Sequence, residues 1–180
     1  TVTDKLKELN VPYMYVGEYL EESPLGKAEW LVAISELTDS RETGTKVFKE
    51  IPERYNNMKQ LTANVEKRPT VMLNTPWNDS WAMPSVKSYV AQLITDAGGD
   101  YIYKKNTSNG AEAIGLETAY ELIRKADVWL NVGSAISLDE LKAVNPNFKD
   151  AKAIQTNSVY NNNLRRTPGG GNDYWESGSI

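Results

Sequence analysis

Residues 70–74 read Thr70-Val71-Met72-Leu73-Asn74, and residues 88–103 read Ser88-Tyr89-Val90-Ala91-Gln92-Leu93-Ile94-Thr95-Asp96-Ala97-Gly98-Gly99-Asp100-Tyr101-Ile102-Tyr103. The first stretch is short and apolar throughout, as a strand covered on both faces requires. In the second, Val86, Tyr89, Val90, Leu93, Ile94 and Ala97 share one face of a helix opened at Ser85, Gly98-Gly99 closes it, and residues 100–103 form the next strand. The alternation continues downstream. Leu116 to Ala126 reads as a helix through Ala119, Tyr120 and Ile123, and residues 127–132 as a strand. Ser137-Leu138-Asp139-Glu140 is a capping box that opens a short helix to Val144. Residues 152–156 supply a fourth strand, and a last helix begins near Asp173. A βαβαβαβα order is satisfied by a parallel sheet with right-handed crossovers and helices on both faces.

Upstream of this block the pattern is different. Residues 5–9 end a helix, and Val11-Pro12-Tyr13-Met14-Tyr15-Val16 reads as a strand with Pro12 at its start, closed by Gly17. Ser23-Pro24 is a helix entry, with Ser as N-cap and Pro in the first turn. Leu25, Ala28, Val32 and Leu37 carry that helix to about Thr38, and the polar stretch 38–41 is a break or bend. Val47, Ile51, Tyr55, Met58, Leu61 and Val65 then form one helical stripe across residues 41–66, which would span about 37 Å. Pro52 lies inside it and predicts a bend near residues 48–52.

The chain has 180 residues, 20 Lys and Arg against 24 Asp and Glu, and a net charge of −4. An acidic chain without a basic tract is not built for nucleic acid. It contains neither Cys nor His, which excludes disulfides, thiolate nucleophiles, Ser-His-Asp triads and imidazole ligation of metal or haem. No apolar run reaches the roughly 18 residues of a membrane span. The start at Thr1 without an initiator Met, and an end soon after a helix begins, read as a fragment or a processed chain.

In an open α/β sheet, ligands lie beyond the carboxyl ends of the strands. The loops expected there are long: residues 74–84, 104–115, 133–136 and 157–172. The opposite returns, at 98–100 and 126–128, are very short. Trp77, Trp81 and Trp175 fall on or beside the elaborated rim, whereas Trp30 and Trp129 sit on element faces. Indoles on polar loops suit a large, partly apolar ligand held by stacking, or else they pin the loops down. Arg165 and Arg166 suit an anionic group, or else a solvated edge. Gly169-Gly170-Gly171 lacks the spacing of a phosphate loop and suits a tight turn. Asp79, Asp173 and Glu176 are carboxylates with no fixed separation.

Four stretches together resemble one family. They are residues 15–30 (Tyr-Val-Gly-Glu-Tyr-Leu-Glu-Glu-Ser-Pro-Leu-Gly-Lys-Ala-Glu-Trp), 88–101, 126–131, and the run from Val159-Tyr160-Asn161-Asn162-Asn163 through Gly169-Gly170-Gly171-Asn172-Asp173-Tyr174-Trp175-Glu176-Ser177-Gly178. The resemblance is to the substrate-binding proteins of ABC importers for siderophore iron, haem and cobalamin, in their Bacteroidetes-type lipoprotein branch. It implies two α/β lobes joined by a rigid helix, with the ligand between them and no resident cofactor. On that reading residues 1–22 are a remnant strand of the amino-terminal lobe and 23–66 the interlobe helical strut. Residues 67–180 are then a Rossmann-like carboxyl-terminal lobe with a four-stranded, mainly parallel sheet and a truncated last helix. The chain departs from the family at Pro52 and at Ser85-Val86, where Gly-Gly is common.

The resemblance assigns the ligand wall to Trp77, Trp81, Met83, Arg165, Arg166, Asn172 and Trp175, with no direct metal ligand. It assigns transporter docking to Glu117, otherwise an ordinary first-turn Glu favoured by the helix dipole. The implied partners are a metal-chelate or corrinoid ligand and an importer permease. The implied place is the periplasm, on a lipid anchor lying outside this sequence. Two other classes fit parts of the sequence. A carbohydrate binder also suits the Trp-rich loops. A nucleotide-dependent α/β enzyme would need a phosphate loop and a titratable centre, neither of which stands out.

Overall fold

The computed structural model describes residues 1–163. Its centre is β1 (Thr70–Leu73), whose Val71, Met72 and Leu73 are all buried. A strand covered on both faces belongs in the interior of a parallel sheet. β1 pairs in parallel with β3 (Asp100–Tyr101) on one side and β5 (Val128–Leu130) on the other, and β6 (Val159–Tyr160) adds beyond β5. The order is β3-β1-β5-β6, and every pairing is parallel, as the alternating pattern requires.

The fourth strand is displaced from its expected place. Residues 152–156 do not form it, because Lys152–Gln155 is a one-turn helix, here α7, that buries Ala153 and Ile154. Asn157, with φ 56°, then turns the chain so that Val159 pairs with Trp129. Two apolar residues in a row do not distinguish a helical turn from a short buried strand.

Between β1 and β3 the chain forms β2 (Ser80–Met83) and α4 (Tyr89–Asp96). β2 pairs antiparallel with β4 (Glu112–Gly115) in a separate two-stranded sheet, where the sequence reading expected loops. α4 starts at N-cap Ser88, whose hydroxyl accepts from Ala91 N, not at Ser85. It ends at Gly98, whose φ of 83° suits only glycine. α5 (Leu116–Ile123) starts where expected but stops short of Ala126, and α6 (Leu138–Val144) follows its expected span. The Ser137 hydroxyl caps Glu140 N, and Glu140 reaches back to Ile136 N. Trp81, Trp129 and Phe148 lock the two-stranded sheet onto the main one, with ring centroids 5.0–6.1 Å apart.

Upstream, α1 covers Val2–Glu8, α2 Pro24–Leu37 and α3 Arg41–Leu61. α2 and α3 are separate helices joined at Thr38-Asp39-Ser40, with Asp39 at φ 51°. They pack closely: a Cβ on Gly44 would collide with Ser35. Residues 23–66 are therefore two packed helices rather than one rod. α3 runs unbroken through Pro52 and stops short of residue 66. Residues 11–16 are exposed and form no strand, because no described strand lies beside them. A lone extended segment has no ladder to satisfy its backbone.

α3 is fixed to the sheet layer through α4. Tyr55 Oη donates to Asp96 Oδ2 at 2.7 Å, Lys59 pairs with Asp96 Oδ1 at 3.0 Å, and Thr62 Oγ1 donates to the Asp96 carbonyl at 2.6 Å. Burial alone would raise the Asp96 carboxyl. Hydrogen bonds from Tyr55, Lys59 and Gln92 outweigh it and hold its pKa below the ordinary value. Burial and the Asp96 charge push the Tyr55 phenol up.

Candidate functional site: the carboxyl ends of the strands

Three adjacent strands end in asparagine. Asn74 follows β1, Asn131 follows β5 and Asn161 follows β6. Asn74 and Asn131 both adopt left-handed backbone, at φ 66° and 58°, a conformation that asparagine tolerates and β-branched residues do not. This turns the chain sharply at the sheet edge and directs both amides along it. Asn131 Nδ2 donates to Asn74 Oδ1 at 2.7 Å, and Asn74 Nδ2 donates to the Ala82 carbonyl at 2.9 Å. Trp129 Nε1 donates to the Asn74 carbonyl at 2.7 Å. Asn161 Nδ2 donates to the Gly133 and Ala135 carbonyls at 2.8 and 3.1 Å, binding β6 to the loop after β5.

A groove of ≈ 1490 Å³ opens beside these ends. Leu73, Asn74, Leu130, Asn131, Tyr160 and Asn162 form its strand-end side. Tyr89, Val90 and Leu93 of α4 form its wall, and Met58 and Leu61 of α3 and Tyr19 and Leu20 continue it. The described residues contain no cluster of three or more His, Cys, Asp or Glu that could hold a metal ion.

The residues singled out from sequence separate. Trp77 stands on the tight turn between β1 and β2, paired with Ser80 through its backbone, and its side chain is 81% exposed. Trp81, four residues on, is fully buried, as is Met83. Both point inward from β2 because alternate residues of a strand face opposite sides. Neither is on a ligand-facing surface, which corrects their assignment to the wall. Arg165, Arg166, Asn172 and Trp175 lie outside the described residues. Glu117 is exposed in the first turn of α5.

Sequence reasoning passed over Asn74 and Asn131 as members of the site. Their common position, one residue past an apolar strand, was the available signal. Tyr160 and Ile136, 60% and 73% exposed near the same strand ends, were also not singled out.

Comparison with known proteins agrees with this architecture. An uncharacterized lipoprotein of Methanocaldococcus jannaschii is 29% identical over 179 residues, covering 98% of this chain and 41% of the relative. A second lipoprotein of that organism is 28% identical over 167 residues, covering 88% of this chain and 42% of the relative. The chain spans less than half the length of these curated relatives. Among solved structures, the periplasmic haem-binding protein HutB of Vibrio cholerae superposes with a TM-score of 0.67 at 13% identity, covering 89% of this chain and 62% of that one. The triscatecholate siderophore-binding protein FeuA of Bacillus subtilis, complexed with ferri-bacillibactin, superposes at 0.62 and 15% identity, covering 90% and 58%. These two likenesses concern the fold. The Periplasmic binding protein family profile matches residues 3–162, nearly the whole described chain, and the chain belongs to that family.

Proposed function

We propose that this chain supplies one wall of the ligand cleft in the substrate-binding component of an ABC importer. In the whole protein a second lobe closes over the strand ends. An iron–siderophore, haem or corrinoid is captured between the lobes and delivered to the membrane permease, without chemistry on the ligand. The exposed Trp77 indole on the rim carries this reading: an aromatic face held out on a tight turn beyond β1 suits a broad, partly apolar ligand. Family membership and the haem- and siderophore-binding proteins of like fold support the ligand classes. The lipoprotein relatives support a periplasmic, lipid-anchored location. Glu117, exposed on the first turn of α5, is the proposed docking charge for the permease.

Tryptophan quenching of the intact protein by haemin, cyanocobalamin and a ferric trihydroxamate, with a glycan set as control, tests the proposal. Saturable binding of one chelate supports it. Binding of glycans alone would replace it with a carbohydrate binder.

A further inference from the structure

We infer, on the cleft reading above, that Asn131 is a specificity-determining hydrogen-bond acceptor. The wall is then matched to a chelate whose periphery carries amide or hydroxyl donors rather than carboxylates alone. The inference rests on the polarity of the amide chain along the strand ends. The Ala82 carbonyl can only accept, so the Asn74 group facing it at 2.9 Å must be Nδ2. That turns Asn74 Oδ1 toward Asn131, and an oxygen there requires Asn131 to present Nδ2, at 2.7 Å. The orientation of Asn131 is thereby fixed from two residues away. One of its two Nδ2 hydrogens is committed, while its Oδ1 accepts no hydrogen bond from the described residues.

Asn131 is exposed and lines the groove. Its neighbours there extend the same chemistry. The Asn131 backbone N–H donates to the Tyr160 carbonyl at 3.1 Å, and Tyr160, 60% exposed, lines the same groove. Leu130, half-buried, supplies apolar surface between the polar groups. Every described residue that the strand ends contribute to the groove is uncharged. An N–H or O–H on the ligand completes the chain that starts at Ala82. A carboxylate placed against Oδ1 meets like partial charge; the groove's described cations, Arg54, Lys59 and Lys87, stand on α3 and just before α4 rather than at the strand ends.

The experiment compares two substitutions in the intact protein, with cyanocobalamin and a ferric trihydroxamate as amide- or hydroxyl-bearing probes and haemin as the carboxylate-bearing one. N131G suits the left-handed backbone and deletes the amide. N131D also tolerates that backbone but sets a carboxylate oxygen against Asn74 Oδ1, which breaks the amide chain. Thermal melting establishes that both variants fold. The expected result is that a donor-bearing probe binds wild type more tightly than haemin. N131G weakens it about three- to tenfold, the range of one net hydrogen bond, and N131D also weakens it, because the acceptor loses its orientation with the chain. Tightest binding of haemin, or unchanged affinity of the preferred donor-bearing probe in N131G, overturns the inference and leaves the cleft reading standing. Failure of all three probes to bind wild type overturns both.

Discussion

Trp81 Nε1 donates to the carbonyl of Leu73 across 2.8 Å inside the core, so the indole ties the two-stranded β2–β4 sheet to the last residue of β1. Trp77, on the turn that leads into β2, points into solvent. The two residues should therefore fail differently. Trp81→Ala removes a fully buried indole packed on Trp129 and Phe148, and leaves the Leu73 carbonyl without that donor. It should cost about 3–5 kcal/mol in urea unfolding. Trp77→Ala should change stability by less than about 0.5 kcal/mol and weaken ligand binding by about 1–3 kcal/mol. Equal loss of stability in both would show that Trp77 also packs against the core.

Asp127 closes the opposite end of the sheet. Its Oδ2 accepts from Thr70 N at 2.8 Å and Thr70 Oγ1 at 2.9 Å, and its Oδ1 pairs with Lys152 at 2.6 Å. Lys152, then the Thr70 backbone and hydroxyl, hold its pKa at about 2. A carboxyl depressed on folding contributes stability that is present above its unfolded pKa, near 3.9, and is lost as pH falls toward the folded value. Asp127→Asn should cost about 1–2 kcal/mol at pH 7, allowing for solvent screening of this partly exposed group. The difference between variant and wild type should shrink between about pH 4 and pH 2. A constant difference across that window would assign the cost to packing instead of charge.

The sheet was legible because its strands are apolar and its helices carry caps. Val71-Met72-Leu73 and Val128-Trp129-Leu130 lie on adjacent parallel strands, in register from Val71 opposite Val128. What escaped was decided by tertiary contact. Residues 152–155 turn helical to bury Ala153 and Ile154 under the sheet end, and the strand follows at Val159. The alternation of Trp81 and Met83 with Ser80 and Ala82 was a strand signal, but one embedded in a segment dense with Pro, Asn and Asp. For the same reason a rim assignment made from loop position kept Trp77 outside and failed for its buried neighbours. Asn74 and Asn131 carry no motif, and their role depends on which strands become neighbours.

Asp96 gives a further test, because its carboxylate is shared by α3 and α4. Tyr55→Phe should cost about 1 kcal/mol, and Asp96→Ala about 2–3 kcal/mol by leaving three donors without their acceptor. Their double mutant should be less destabilised than the sum of the singles, since each removes the same bond. Additive losses in chemical denaturation would show that Tyr55 acts by packing alone.

Glu117 is the last case, and here charge and ligand should separate. It lies in the first turn of α5, immediately after β4, on the exposed side of a helix whose buried residues are Ala119 and Ile123. Its carboxylate makes no hydrogen bond or ion pair among the described residues, so its charge acts on the fold only through the dipole of α5. Reversing that charge should cost no more than about 1 kcal/mol of stability. A rim charge acts chiefly on association with an oppositely charged partner, in a manner sensitive to ionic strength. Glu117→Arg should therefore leave chelate affinity intact while slowing uptake through the importer, and the defect should be sharper at low salt than at high salt. Uptake at the wild-type rate would remove Glu117 from docking. A loss of chelate affinity matching the loss of uptake would place it in the cleft, on the same wall as Trp77.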